Sequence, residues 1–466
     1  MEEYQVIVIG GGPGGYEAAI RLSQYGISSL LIEKERLGGV CLNWGCIPTK
    51  TLVKSAELVR EIGEAEIFGL PPIELKPDYS KIWERKNKIV EQLVGGIEYL
   101  FRKRKIPVVQ GEAIQIVKDA QGYILRTTAG DEYKAKYVII ATGSEAKSLP
   151  GIEIDESDVL SSKGILEMET LPKSLAVVGG GVIGCEFASI YAAFGVQVSI
   201  IEFLPRLVAL EDTEISKRLA LALKKSGIKV YLNSAVESIS KQDGMLKLAL
   251  STETELIAEK VLISVGRTPS FGIECKGFEP KLEKGAIIID DKMRSSEEGI
   301  WAIGDVTGKM QLAHTASKQG LLAVEDIAHL LGKRPEPTHI LNYPDIPRCT
   351  FTYPEIGSVG LTETEAQEIY GEIVVGKFPF SASGKAMAMS ATQGFVKSIA
   401  RKDNGQLVGM HIMGPGASEL IAQGAIMISK KMTAESIEDI VFAHPTLSEA
   451  VMESVEDLRD LSIHKI

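Results

Sequence analysis

Short apolar runs, each ending at a turn that contains glycine, recur along the chain and predict buried parallel strands. The first run covers residues 6–9 and the second residues 175–178, and both lead directly into glycine-rich turns. Two further runs, at residues 138–140 and 261–265, also end at small residues and glycine. Continuous apolar runs of this length are typical of strands that are covered on both faces. The pattern therefore predicts an α/β fold.

The two glycine-rich turns are copies of one motif, G-x-G-x-x-G. The offset between the copies is 169 residues (179 minus 10), and the same offset aligns Glu33 with Glu202. We interpret the alignment as an internal duplication of one β-α-β unit. The motif glycines are Gly10, Gly12 and Gly15 in the first copy and Gly179, Gly181 and Gly184 in the second.

Each copy has the chemistry of a dinucleotide site. The first glycine permits a tight turn, the second lets a pyrophosphate approach the backbone, and the third lets the helix pack closely on the strand. The N-terminus of the helix then offers N–H groups and a partial positive charge to the phosphates. Glu33 and Glu202 can accept hydrogen bonds from ribose hydroxyls. Since Glu202 would repel a 2′-phosphate, the second copy should prefer NAD to NADP.

One alternative is that both glycine-rich turns are purely structural and hold no ligand. A single copy would leave that alternative open, because glycine-rich turns also occur without ligands. We favour dinucleotide binding because both copies carry the acidic residue at the same spacing, Glu33 after the first and Glu202 after the second.

Cys41 and Cys46 are candidates for a redox-active pair. Five residues along an ideal α-helix would separate their Cα atoms by about 8.7 Å, whereas a disulfide needs less than about 7 Å. The pair can therefore bridge only where the backbone departs from a regular helix. Gly45 permits that departure, and Pro48 suits the first turn of a following helix. Cys46 would then lie near a helix N-terminus, where a thiolate is stabilised.

The spacing of these cysteines alone leaves two alternatives open. They could be two reduced buried thiols, or half of a zinc site. A zinc site normally needs a second pair of ligands at similar spacing, and the sequence offers none. We therefore expect no metal, and we assign no role to the other thiols, Cys185, Cys275 and Cys349.

His444 and Glu449 are candidates for an acid–base pair. Thiol chemistry needs a group that accepts the thiol proton, and imidazole titrates near neutral pH. A carboxylate at Glu449 would hold the ring in the useful tautomer. The same residues have a structural alternative, because Thr446-x-x-Glu449 ahead of an apolar run is also a capping box. Thr446 could cap the helix while Glu449 turns to His444.

Composition and charge exclude several classes of protein. Of 466 residues, 45% are hydrophobic and 24% charged, which is ordinary for a globular chain, and five cysteines do not make a secreted disulfide framework. The net charge of −11 argues against a nucleic-acid partner. We find no apolar stretch long enough for a membrane span and no signal peptide. We therefore expect a cytoplasmic protein.

The order of these features resembles the pyridine nucleotide–disulfide oxidoreductases, and most closely the members that oxidise dihydrolipoyl groups. The resemblance runs along essentially the whole chain. Its strongest segments are residues 38–50, 352–363, 378–380, 394–397 and 443–449. It implies two Rossmann-like domains, with FAD in the first copy and NAD in the second, a central segment and a C-terminal α+β dimerisation domain.

The resemblance also implies roles for individual residues. Cys41 would be the interchange thiol and Cys46 the thiol that faces the flavin. His444 and Glu449 would come from the other subunit of a homodimer. The further cofactor contacts that it implies are Lys50, Thr142, Gly143, Glu186, Gly266, Gly304, Asp305 and Ala313.

The expected organisation is an FAD-binding domain at residues 1–147, an NAD-binding domain at 148–271, a central domain at 272–346 and an interface domain at 347–466. The implied substrate is a lipoyl-bearing acyltransferase or carrier protein of a 2-oxoacid dehydrogenase or glycine-cleavage complex. One alternative function is another NAD(P)H-dependent disulfide reductase. An alternative of a different class is a non-catalytic flavoprotein with a binding or scaffold role.

Overall fold

The computed structural model describes residues 1–465, which divide into two compact units. Three stretches of the chain form each unit, so neither is a continuous segment. Unit 1 contains Met1–Thr51, Lys81–Lys147 and Gly266–Leu341, and unit 2 contains Leu52–Ser80, Ser148–Val265 and the chain from Asn342 onward.

The described residues contain α-helices that are interspersed with groups of strands. The helices are α1 (Pro13–Gln24), α2 (Gly39–Trp44), α3 (Cys46–Gly63), α4 (Tyr79–Arg104), α5 (Gly164–Glu167), α6 (Val182–Ala193), α7 (Thr213–Lys225), α8 (Ala313–Leu330), α9 (Glu363–Tyr370), α10 (Gly384–Ala388), α11 (Ala417–Ser429), α12 (Ala434–Glu438) and α13 (Ser448–Glu456). Among residues 1–465, no helix combines the length and apolar character needed to cross a membrane.

The strands range from two residues in β8 to nine in β6. They are β1 (Glu2–Ile9), β2 (Ser29–Glu33), β3 (Val108–Gln110), β4 (Ala113–Asp119), β5 (Gly122–Thr127), β6 (Glu132–Ile140), β7 (Ser144–Ala146), β8 (Val159–Leu160), β9 (Ser174–Val178), β10 (Gln197–Ile201), β11 (Lys229–Tyr231), β12 (Val236–Gln242), β13 (Met245–Leu250), β14 (Glu255–Ala258), β15 (Lys260–Ile263), β16 (Arg267–Pro269), β17 (Glu274–Lys276), β18 (Leu282–Glu283), β19 (Ala286–Ile287), β20 (Ile300–Ala302), β21 (Arg348–Thr350), β22 (Glu355–Gly360), β23 (Ile373–Pro379), β24 (Phe395–Arg401) and β25 (Leu407–Gly414).

Unit 1 is built on one sheet, in the order β17-β4-β5-β6-β1-β2-β3, with β20 also paired to β6. Strand β1 lies parallel to β2 and β6, and its last four residues are fully or almost fully buried. One face of the sheet packs on a core that includes α1 and α8, and the other on a second apolar core. Burial on both faces explains why β1 is apolar at successive positions.

Helices α1 and α8 approach each other closely because glycines face each other across the contact. A Cβ on Gly14 would lie 2.7 Å from the carbonyl oxygen of Ala316, and a Cβ on Gly320 would lie 2.6 Å from that of Gly14. Neither position leaves space for a methyl group. Through α8 and β20, the segment after residue 266 belongs to the same core as the first 140 residues.

Unit 2 contains a second parallel sheet, in the order β11-β10-β9-β15-β8, and an antiparallel sheet in the order β21-β22-β25-β24-β23. The pair β9 and β10, joined through α6, repeats the pair β1 and β2, joined through α1. Helices α11 and α13 contribute to the apolar core of the antiparallel sheet. The predicted α/β class with two Rossmann-like units and an α+β segment near the C-terminus is confirmed.

A buried group of charges lies inside unit 2. Lys397, on β24, has a side chain only 2% exposed, and its ammonium donates to both carboxylate oxygens of Asp212 at 3.0 and 2.9 Å. Glu363 lies 2.6 Å from the same ammonium. Burial by itself raises the pKa of Asp212, but His411 and Lys397 outweigh it, so that the pKa is lower than usual. The carboxylate therefore stays ionised.

Replacing Lys397 with methionine should lower the free energy of unfolding by about 3–5 kcal/mol, because Asp212 would become a buried carboxylate without its cation. The measurement is the shift of the urea midpoint of the purified protein. The matched control is Lys402→Met in the same unit. Lys402 and Glu372 form an exposed pair at 3.2 Å, whose loss should cost roughly 0–1 kcal/mol. Equal shifts for the two variants would contradict this interpretation.

Candidate active site

The first glycine-rich turn leaves an open space at its middle glycine. Gly10 has a φ of +102°, and a Cβ there would lie 2.2 Å from the carbonyl oxygen of Ala141. A Cβ on Gly15 would lie 1.9 Å from the carbonyl oxygen of Gly10. At Gly12, by contrast, the nearest atom to a Cβ is 4.0 Å away, the Cα of Gly39. The outer glycines are required by the protein itself, whereas the middle glycine faces open space.

The second turn repeats this pattern. Gly179 has a φ of +108°, and its Cβ would lie 2.4 Å from the carbonyl oxygen of Ser264. A Cβ on Gly184 would lie 2.0 Å from the carbonyl oxygen of Gly179, while one on Gly181 would meet nothing within 4 Å. In both copies the middle glycine is the N-cap of the helix, and no side chain caps that end. The geometry fits a pyrophosphate in each turn.

The two predicted acidic residues make the same contacts in their two copies. Glu33 accepts hydrogen bonds from the backbone N–H groups of Gly11 at 2.6 Å and Glu35 at 2.7 Å, one at each oxygen. Glu202 repeats the first of these bonds with Gly180 at 2.5 Å. Each carboxylate is therefore fixed beside its turn. Since a carboxylate oxygen can accept more than one hydrogen bond, both can still accept from ribose hydroxyls.

Asp305, which was predicted from the sequence, belongs to a polar group with Ser144 and Arg267. Its carboxylate accepts a hydrogen bond from the Ser144 hydroxyl at 2.5 Å, and Arg267 donates to the Ser144 hydroxyl at 2.7 Å and carbonyl at 2.5 Å. Burial raises the pKa of Asp305, and the bond from Ser144 and the charge of Arg267 partly offset that rise. Arg267 and Ser144 were not predicted. The available signal was the position of Arg267, directly after the glycine that ends the apolar run.

The remaining predicted residues of unit 1 lie at the ends of strands and helices. The Thr142 hydroxyl donates to the carbonyl of Ser270 at 2.5 Å. Gly143 and Gly266 have φ values of +77° and +115°, and a Cβ on either would meet nothing within 4 Å. Ala313 begins α8, whose first turn has no side-chain cap.

Gly304 forms the turn that precedes Asp305. It has a φ of +74°, and its N–H donates to the side chain of Gln319 at 2.6 Å. Gln319 is fully buried on α8 and was not predicted. Its side chain therefore ties the turn to the helix that begins at Ala313.

Cys41 and Cys46 form a disulfide across a break between two helices. Helix α2 ends at Trp44, Gly45 departs from helical geometry with φ −144° and ψ −109°, and α3 begins at Cys46. The Cα atoms are 4.7 Å apart, within the range that a disulfide needs. The disulfide is inconsistent with both alternatives, two reduced thiols and half of a zinc site. Lys50 lies one turn after Cys46 on α3.

Glu186 lies on α6 with a side chain that is almost completely buried. One of its carboxylate oxygens accepts a hydrogen bond from the backbone N–H of Phe351 at 2.9 Å. The adjacent Cys185 is completely buried, and burial raises the pKa of its thiol. That thiol stays protonated, in line with the expectation that Cys185 is structural.

His444 and Glu449 are in direct contact. The Nδ1 of His444 lies 2.8 Å from one carboxylate oxygen of Glu449, and the other oxygen accepts the backbone N–H of Thr446 at 2.8 Å. The His444 side chain is 78% exposed, so its second ring nitrogen is accessible. Burial alone raises the pKa of Glu449, but the bonds from Thr446 and His444 lower it below its usual value. The carboxylate therefore stays ionised beside the ring.

The capping box at Thr446 is formed only in part. The helix α13 begins at Ser448 with Leu447 as its N-cap, and the Thr446 hydroxyl donates to the carbonyl of Ala443 at 2.7 Å. Thr446 therefore does not cap the helix with its side chain. The reason is that the helix begins later than the sequence pattern suggests. Glu449 serves both the ring and the backbone because each of its oxygens takes one role.

The middle glycine of the second copy offers a test of ligand binding that is separate from folding. Gly181→Ala should leave thermal stability unchanged, because its φ of −74° suits alanine. It should weaken NADH binding on the order of 10–100-fold, since about 1–3 kcal/mol of overpacking would arise against a bound pyrophosphate. The control is Gly184→Ala, which should lower the melting temperature instead. NADH titration and thermal unfolding measure the two effects, and unchanged NADH affinity in Gly181→Ala would count against a pyrophosphate at this turn.

Two family matches together cover most of the chain. Residues 4–320 match the pyridine nucleotide-disulphide oxidoreductase family, and residues 346–455 match the dimerisation domain of that family. Proteins named dihydrolipoyl dehydrogenase are similar along their whole length. One from Zymomonas mobilis is 39% identical and covers 97% of each chain, and one from Corynebacterium glutamicum is 41% identical and covers 98% of each.

Solved structures support the same assignment. The HOCl-induced flavoprotein disulfide reductase RclA from Escherichia coli is 28% identical, with a TM-score of 0.85 over 97% of this chain and 99% of that one. LpdA from Mycobacterium tuberculosis is 24% identical with a TM-score of 0.88 over 97% and 99%, which shows the shared fold. The predicted resemblance is confirmed, and the chain belongs to the pyridine nucleotide-disulphide oxidoreductase family.

Proposed function

We propose that this protein is a dihydrolipoyl dehydrogenase that oxidises protein-bound dihydrolipoyl groups with FAD and NAD. The observation that carries the proposal is the Cys41–Cys46 disulfide at the start of a helix, in a chain with two dinucleotide turns. Full-length similarity to proteins named dihydrolipoyl dehydrogenase supports this choice of substrate within the family.

The residues fit the two cofactors. FAD suits the first copy, with its pyrophosphate at Gly12, its ribose at Glu33 and further contacts at Asp305 and the start of α8. NAD suits the second copy, with Gly181 and Glu202 in the equivalent positions. When bound, FAD accepts the electrons of the dithiol and NAD carries them away as a hydride.

The thiol chemistry needs a base, and His444 is suited to that role. Because Glu449 accepts a hydrogen bond from Nδ1, the Nε2 atom is left to take a proton from the substrate thiol. The resulting thiolate attacks the sulfur of Cys41 and breaks the Cys41–Cys46 bond, which forms a mixed disulfide. The second substrate thiol closes the lipoyl ring and expels Cys41. Both electrons then reside on the protein dithiol.

Cys46 leaves as a thiolate at a favourable position. Its sulfur is carried by the first residue of α3, where the helix dipole stabilises negative charge. Lys50, one turn further along α3, adds a positive charge to the same end of the helix. The more stable thiolate is the better leaving group, so the arrangement directs attack to Cys41.

The proposal includes a homodimer, supported by the match of residues 346–455 to the dimerisation domain. In it, His444 and Glu449 of one subunit serve the disulfide of the other. The lipoyl group would arrive on an acyltransferase or carrier protein of a 2-oxoacid dehydrogenase or glycine-cleavage complex, in the cytoplasm. The four domains bounded at residues 147, 271 and 346 are part of the same proposal.

A second candidate function is reduction of a different disulfide at the expense of NADH. The similarity to the RclA flavoprotein disulfide reductase favours this alternative. The two functions are separated by assaying dihydrolipoamide oxidation with NAD and with NADP in parallel. Rapid turnover with NAD supports the proposed function, and no dihydrolipoamide oxidation with either nucleotide overturns it. Glu202 should make turnover with NADP much slower than with NAD.

Replacing Cys46 with serine should reduce dihydrolipoamide oxidation to background, because no disulfide is left for the substrate to attack. The purified variant should stay yellow, since serine is close in size to cysteine and the residues proposed to hold the FAD pyrophosphate and ribose are unchanged. The control is Cys275→Ser, which changes a half-buried thiol of the same unit and should retain turnover. Substantial turnover by Cys46→Ser would overturn the mechanism. A non-catalytic scaffold would show no turnover even in the wild type.

Replacing His444 with glutamine should slow dihydrolipoamide oxidation roughly 10²–10⁴-fold, the usual contribution of a general base. The reaction of NADH with an artificial electron acceptor should be unaffected. The control is His464→Gln, because the Nδ1 of His464 makes a comparable contact with Glu453, which lies on the same helix as Glu449. Steady-state kinetics of both reactions give the answer, and equal losses in the two variants would argue against a catalytic His444.

A further inference from the structure

The segment that follows β21 runs along one face of α6. The N–H of Phe351 donates to Glu186 at 2.9 Å, and the N–H of Tyr353 donates to the Ser189 hydroxyl at 3.2 Å. Glu186 and Ser189 are three residues apart and therefore lie on the same face of α6. The two N–H donors, two residues apart in the segment, therefore meet the same face of α6.

Arg60, on α3, fastens the second of these contacts. Its guanidinium donates to the Ser189 carbonyl at 2.5 Å and to the Ser189 hydroxyl at 3.0 Å. The same guanidinium lies over the Tyr353 ring, with its central carbon 4.9 Å from the ring centroid. Burial lowers the pKa of Arg60, and the Tyr353, Glu57 and Glu64 side chains offset part of that effect. Arginine still remains charged because its pKa begins so high.

These contacts give one guanidinium three roles in unit 2. It donates a hydrogen bond to the Ser189 carbonyl and another to the Ser189 hydroxyl, which accepts the Tyr353 N–H. It also stacks over the Tyr353 ring. Planar guanidinium groups suit this combination of forked donation and ring stacking, whereas an ammonium provides only the donation. Fixing Tyr353 also fixes Phe351 two residues earlier, and hence the donor that holds the Glu186 carboxylate.

We propose that Arg60 is a positioning residue that acts on the nicotinamide end of the NAD site through Ser189, Tyr353 and Phe351. The inference rests on the proposed function and on the cofactor contact at Glu186 that the family resemblance implies, which would place this carboxylate beside the nicotinamide. Arg60 itself touches neither reactant. Its effect is to keep the Phe351 N–H aimed at Glu186, so that this carboxylate keeps one orientation when NAD binds.

The chain contains a matched arginine for comparison. Arg401 lies over the Tyr370 ring at 4.7 Å and pairs with Asp403 at 2.5 Å. Its arrangement resembles that of Arg60 in stacking and in hydrogen bonding, and it also belongs to unit 2. It ends β24 and makes no hydrogen bond to α6 among those recorded for residues 1–465. Arg401→Met therefore removes the same kinds of contact at a place that the proposal does not use.

The test uses the FAD-loaded enzyme with Arg60→Met, Arg60→Lys and Arg401→Met. Arg60→Met should weaken equilibrium binding of NAD about tenfold and speed amide exchange in the peptide around Tyr353 at least about tenfold. Reduction by dihydrolipoamide without NAD should change less than about twofold. Arg60→Lys should be intermediate, since lysine restores donation to Ser189 but not the stacking. Arg401→Met should leave NAD binding and amide exchange near Tyr353 unchanged.

Ser189→Ala provides a second variant should Arg60→Met fold poorly, because it removes only the hydroxyl that joins Arg60 to Tyr353. Its NAD affinity and amide exchange should move in the same direction by a smaller factor. The inference is overturned if these variants bind NAD as the wild type does. It is also overturned if NAD binding and reduction by dihydrolipoamide fall together, as a general loss of structure would require.

The same experiment separates this inference from the proposed function. A wild-type enzyme that does not oxidise dihydrolipoamide would overturn the proposed function. The affinity for NAD and the amide exchange around Tyr353 do not depend on the thiol substrate. They would still decide whether Arg60 holds the segment that contacts Glu186.

Discussion

The close contact between the third glycine of each turn and the carbonyl oxygen of the first is the constraint on which the structure depends. In both copies a single methyl group would collide with that oxygen, at about 2 Å. The contact brings the helix down onto the strand and leaves its N-terminus directed at the space beside the middle glycine. Packing thus places strand and helix for a dinucleotide, and backbone hydrogen bonds hold the acidic residue beside the turn. Both copies therefore need glycine at the third motif position, Gly15 in the first and Gly184 in the second.

Charged groups in the interior lie beside groups that compensate their charge. Lys397 and Asp212 are buried together, and the ammonium compensates the charge of the buried carboxylate. Asp305 accepts a hydrogen bond from the Ser144 hydroxyl, to which Arg267 also donates, and it forms a long ion pair with Arg267 at 4.0 Å. At Glu449, by contrast, the carboxylate contacts the imidazole of His444, whose side chain is 78% exposed. The buried charges thus stabilise the fold, whereas the carboxylate beside the exposed imidazole can take part in proton transfer.

The features that depend on local sequence pattern could be predicted from the sequence. The apolar runs, the glycine spacings and the acidic residues are each fixed within about 25 residues, and the break at Gly45 follows from the distance that two sulfurs can span. Contacts between distant segments were beyond its reach. Arg267 meets Ser144 from 123 residues away, and Arg60 meets Ser189 from 129 residues away. No periodicity predicts such a meeting, because the fold decides it. The expected cap at Thr446 was wrong because α13 begins at Ser448, and the Thr446 hydroxyl donates to the carbonyl of Ala443 instead.

The two oxygens of the Glu449 carboxylate bind different parts of the chain. One oxygen orients an imidazole, and the other restrains the backbone just before a helix. Because both bonds end on one side chain, displacement of Glu449 would release the imidazole and the Thr446 backbone together. The orientation of the base and the order of the chain just before α13 therefore depend on the position of a single carboxylate.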